Sequence, residues 1–127
     1  MVMCTGSSFG KIPFPIEVEV NQPTGTVSFK FFRTERILFF ISYRIQTEIS
    51  SLQVATLQGQ TIWAIRKLKA DTAATEQVTY GVLPEGFYQL VPDRVMPPNL
   101  TVGMEYHISV SMGGETGGTA AFVYEGN

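Results

Sequence analysis

Side chains in this 127-residue chain alternate repeatedly between apolar and polar with a period of two, and almost nowhere with the period of a helix. In PIEVEV, Ile16, Val18 and Val20 fall on one face, with Glu17 and Glu19 on the other. TVSFKF sets Val27, Phe29 and Phe31 against Ser28 and Lys30. In ILFFISYRIQ one face carries Ile37, Phe39, Ile41, Tyr43 and Ile45. The pattern continues with Leu52 and Val54, with Trp63 and Ile65 (or the opposite parity), and with Val78, Tyr80 and Val82. A short strand is expected around FYQLV. Met104, Tyr106, Ile108, Val110 and Met112 then line up in MEYHISVSM, and TAAFVYE closes the series. Gly, Pro and Asn stand between these runs. Eight or nine short strands at spacings of about 8–12 residues imply an all-β fold, an antiparallel β-sandwich. The segment from Lys69 to Gln77 is too short for a convincing helix and reads as a loop.

The length is that of one ordinary domain, enough to bury about two-thirds of the unfolded chain's surface without metal or disulfide staples. Residues 1–14 are expected to form an N-terminal tether or covering arm, and residues 15–127 a single sandwich domain. The glycines of MGGETGGT (Gly113, Gly114, Gly117 and Gly118) read as a flexible hairpin loop before the last strand. A phosphate-binding glycine loop would need a helix to follow, and a strand follows instead.

Leu100, Gly103 and Tyr106 recur at three-residue intervals just before the HISV strand. In antiparallel sandwiches a tyrosine near the start of a late strand turns inward at a corner, and its hydroxyl bonds backbone a few residues upstream. Leu100 would then plug the core, Gly103 would allow the tight turn, and Tyr106 would pin the connection. The stretch resembles the corresponding part of fibronectin type III domains, over about a fifth of the chain. It departs from them in having its one tryptophan mid-chain, at Trp63, and valine rather than proline before Gly103. The resemblance implies an immunoglobulin-like or fibronectin-like architecture rather than membership of the family.

Taken together, TIWAI, VTYGVLPEGFYQLVP, MPPNL and GMEYHISV resemble a group of small uncharacterised bacterial lipoproteins, over residues 61 to 124. That resemblance implies a cell-envelope location and no established activity. Gly81, Pro84 and Gly86 punctuate two strands, and Pro97 and Pro98 stiffen the crossover towards Tyr106. At the other end, Cys4 followed by Thr5, Gly6, Ser7 and Ser8 resembles the start of a mature lipoprotein, where the cysteine carries the lipid. Three residues precede it, with Met3 where such signals have Gly, Ala or Ser. The other reading of Cys4 is an ordinary free thiol.

A net charge of −2 with scattered Lys and Arg gives no electrostatic footprint for nucleic acid. The two small basic groups, Arg33/Arg36 and Arg66/Lys67/Lys69, read as turn and strand-end solvation. No apolar run approaches the roughly 18 residues that cross a bilayer, so contact with a membrane is expected only through a lipid on Cys4. One cysteine forms no internal disulfide, and one histidine with one distant cysteine gives no zinc pattern. Glu17 and Glu19 read as a solvated or edge-protecting face. His107 shares its face with Glu105, Ser109 and Ser111, but residues two apart on a strand lie in a row, without the convergence a triad needs. No cofactor, metal or catalytic residue is expected. Asn99 to Thr101 matches a glycosylation acceptor, a chance match in a bacterial setting.

The remaining feature is aromatic excess. If Phe29, Phe31 and Phe39 face the core, Phe32, Leu38 and Phe40 face the other way, where polar residues are usual. Either the N-terminal arm covers them or they form a binding surface. The expected function is that of a non-catalytic envelope protein binding or scaffolding a protein or other envelope component. The alternatives are a soluble fibronectin-like module recognising protein or carbohydrate, and more remotely a small hydrolase.

Overall fold

A computed structural model describes residues 16–38, 41–68, 75–113 and 116–126. They form nine strands: β1 (Glu17–Asn21), β2 (Ser28–Leu38), β3 (Ile41–Gln46), β4 (Ser51–Thr56), β5 (Thr61–Lys67), β6 (Gln77–Thr79), β7 (Phe87–Val91), β8 (Glu105–Gly113) and β9 (Thr116–Val123). The one helical element among the described residues is a 3-10 turn at Pro23–Gly25. All strand pairs are antiparallel, and they make two sheets. The fold is an all-β sandwich.

In the first sheet β2 is the spine. Its residues Ser28 to Lys30 pair with both β1 and β6, so those two strands lie on opposite edges. From Phe32 onward β2 pairs with β3, which continues the β6 edge end to end. The second sheet runs β7-β5-β4-β8-β9. Alternation turns one face of each sheet inward: Phe29 and Phe31 from β2, then Leu52, Val54, Trp63, Ile65, Ile108 and Val110 from the other sheet, all buried. Each such side chain contributes about 1.5–3 kcal/mol by leaving water.

The two sheets also meet along one edge. β1 runs antiparallel to β2 but parallel to β9, and the Ile16 N–H donates to the Gly117 carbonyl (2.9 Å). At the other end of β1, the Gln22 amide bridges the Val123 carbonyl (2.9 Å) and the Glu125 N–H (2.8 Å).

Four expectations from the sequence need correction. Arg33 to Arg36 is not a turn, and Ile37 to Gln46 is not one strand. β2 runs on to Leu38, which pairs with Ile41 at the start of β3. RTER contains none of the Gly, Pro, Asn or Asp that turn a chain. The pairing with β3 also shifts register between Arg36 and Leu38; the common face expected of Phe32, Leu38 and Phe40 involves side chains outside the described residues. Gly117 and Gly118 are not loop residues but part of β9. A Cβ at Gly118 would overlap the Ile16 carbonyl, and one at Gly117 would come within 2.8 Å of the Val110 carbonyl oxygen. Close backbone approach, not turn conformation, requires glycine at these positions. Finally, β6 stops at Thr79. Gly81, at φ +86°, turns the chain and leaves Val82 59% exposed rather than inward.

Candidate functional site

Pairing registers put residues 22–27, 57–60, 80–82, 92–104 and 124–126 at one pole of the sandwich. Ile16 and the β3–β4 connection lie towards the other. The first pole is organised by the crossover 92–104, because the chain leaving β7 must pass β5 and β4 before joining β8.

Side chains from three strands or strand ends pin this crossover. Gln89 of β7 donates its amide to the Pro92 and Val95 carbonyls (both 2.7 Å), and its carbonyl accepts the indole N–H of buried Trp63 (2.8 Å). Tyr80, just past β6, donates its hydroxyl to the Pro98 carbonyl (2.7 Å) and sets its ring against Trp63, 5.2 Å between centroids. On β8, Tyr106 is 4% exposed, and its hydroxyl accepts the Thr101 N–H (2.8 Å). Its ring tilts against Phe122 at 5.8 Å. Leu100 packs partly buried against the core. Gly103 has φ +86° with open space around its Cα, so backbone conformation alone explains the residue. Its N–H donates to the Tyr124 carbonyl (2.8 Å), tying the corner to the end of β9.

Between these pins lies a groove of about 330 Å³, open to solvent on one side. Its walls come from Gly25, Thr26 and Val27 after the 3-10 turn, Thr79, Tyr80 and Val82, Asn99 and Leu100 of the crossover, and Tyr124. The Tyr124 hydroxyl donates to the Gly25 carbonyl (2.7 Å), so both tyrosine rings are fixed at their hydroxyl ends. Burial, and secondarily Tyr106 nearby, pushes the Tyr80 phenol from 10.0 up to about 12. It therefore remains a hydroxyl donor throughout the physiological range. No lining residue carries a charge. The same pole exposes Met96 at 77%, Val102 at 65% and Val95.

The residues singled out from sequence are dispersed. Leu100, Gly103 and Tyr106 converge at this pole. Phe32 lies far from it, on the outer face of the first sheet, where the Arg44 guanidinium stacks over its ring at 3.9 Å. Arg44 also forks to both carboxylate oxygens of Glu17 (2.9 and 3.1 Å), so Phe32 is half-buried rather than bare. Cys4, Phe40 and the covering arm fall outside the described residues, as does the side chain of Leu38. His107 contacts Glu105 (2.9 Å) on the exposed face of β8, in a row with Ser109. Among the described residues no group of three His, Cys, Asp or Glu is placed to hold a metal. No described helix is long and apolar enough to cross a membrane.

Sequence reasoning missed the groove itself. Tyr80 reads as an ordinary inward strand residue, and Asn99 and Tyr124 carry no local signal. The density of Pro and Gly between Gly81 and Gly103 was the only hint of a structured connection. No protein-family model, curated protein or solved structure matches the chain.

Proposed function

We propose that this chain is a non-catalytic binding or scaffolding protein of the bacterial cell envelope, held to a membrane by a lipid on Cys4 and meeting its partner through the crossover pole. The observation that carries the binding role is the gathering of exposed Val82, Val95, Met96 and Val102 at the pole that holds the groove. Large apolar side chains left in water at the end of a domain that also holds a groove are a mark of a recognition surface. The envelope location is supported by the Cys4-Thr5-Gly6-Ser7-Ser8 pattern and by the lipoprotein resemblance over residues 61 to 124.

A soluble fibronectin-like module recognising protein or carbohydrate is the second reading, favoured by the corner at Leu100, Gly103 and Tyr106. Expressing the complete gene in a bacterium and fractionating the cells separates the two. Membrane association that Cys4→Ser abolishes supports the anchored protein. A soluble wild type supports the second reading, and association unchanged in the mutant removes the lipid.

A further inference from the structure

We propose that the groove at the crossover pole binds an uncharged saccharide unit. This deepens the reading of that pole as a recognition surface and is independent of the anchor at Cys4. The ligand class follows from three properties of the walls.

The first is charge. With no Asp, Glu, Lys, Arg or His lining the groove, a charged ligand would lose hydration and find no counter-charge. The ligand is neutral. The second is unmet hydrogen bonding. The side chains of Thr26 and Asn99 are exposed in the groove wall and make no hydrogen bond to other described residues. A purely apolar ligand would strip water from this hydroxyl and amide without replacing it. The ligand therefore carries donors and acceptors of its own. The third is the apolar part of the wall, to which Val27, Val82, Leu100 and the two tyrosines belong and which needs C–H faces to cover it. A sugar ring has both kinds of surface: hydroxyls around its rim and C–H bonds on its faces.

Preorganisation favours the same conclusion. The two tyrosine hydroxyls are already committed to the Pro98 and Gly25 carbonyls, so the rings need little ordering when a ligand arrives. The volume lies at the small end of ligand sites, suited to one or two sugar rings, and the open side lets a longer chain continue outward.

The test is a nitrogen-15 NMR titration of the full chain with glucose, N-acetylglucosamine and cellobiose. Cyclohexanol serves as the apolar-ring control and glucose 6-phosphate as the charged one. At least one sugar is expected to give saturable millimolar shifts at Thr26, Tyr80, Asn99 and Tyr124, exceeding those of either control. Asn99→Ala and Thr26→Val should each weaken that sugar by about two- to tenfold, the loss of one or two hydrogen bonds, with the rest of the spectrum unchanged. The proposal is overturned if all three sugars fail to saturate at tens of millimolar, if their shifts centre elsewhere, or if either control binds as tightly. It is likewise overturned if both variants bind as the parent does. Such a failure with membrane association intact removes the saccharide and leaves the anchored binding protein standing.

Discussion

Gly118 lies flush against Ile16: the β9 backbone at this glycine touches the Ile16 carbonyl so closely that a Cβ has no space. The contact seats β1 beside β9 and closes the sandwich along that edge. Because the obstacle is backbone, it has little freedom to give. Gly118→Ala is expected to cost about 1–3 kcal/mol, the range for overpacked sites, with β1 displaced. Urea denaturation gives the value, and an unchanged midpoint would show that the edge is looser than described.

At the corner, Tyr106→Phe removes the acceptor of the Thr101 N–H while keeping the ring on Phe122. The expected loss is about 0.5–1.5 kcal/mol. By contrast, Phe29→Ala, which empties a fully buried core position, should cost about 3–5 kcal/mol. Equal effects of the two substitutions would contradict the division between pin and core.

Strand alternation was legible because most strands bury one face and wet the other, which leaves a local record in the chain. Tyr106 was legible for a similar reason, since Leu100, Gly103 and the tyrosine lie within seven consecutive residues. Gly118 was not, because its need for a missing side chain arises from Ile16, far away in the chain. Nor was the division between β2 and β3, where apolar residues fill consecutive positions and period two has no contrast to work with. The groove draws on four separate segments, and nothing in any one of them specifies the other three.

Tyr80 supplies a pH signature. Folding raises its phenol from 10.0 to about 12, so on raising the pH the unfolded chain gives up this proton first. Stability from this group is complete below about pH 10 and is lost as pH climbs through about 12. In a titration followed by tyrosinate absorbance, Tyr80→Phe should delete a component that titrates near 12 in the native fold. Deletion of an ordinary component near 10 instead would place the phenol in solvent.

On the outer face of the first sheet, Arg44 bridges Glu17 and the Phe32 ring with about half of each charged side chain in water. Exposure limits both interactions, so a double-mutant cycle between Arg44→Ala and Glu17→Ala should give only about 0.2–1 kcal/mol, less at high salt. A larger, salt-insensitive coupling would mean that this face is covered.

A preformed groove requires the 92–104 crossover to be held still, and amide hydrogen exchange reads this directly. Thr101 and Gly103 donate to Tyr106 and Tyr124. In the wild type both amides are expected to exchange well below the rate of an unstructured chain. Tyr106→Phe should free Thr101 while leaving Ile108 and Val110 in β8 protected. Thr101 and Gly103 exchanging at the unstructured rate in the wild type would contradict a fixed wall, and with it the binding site built upon it.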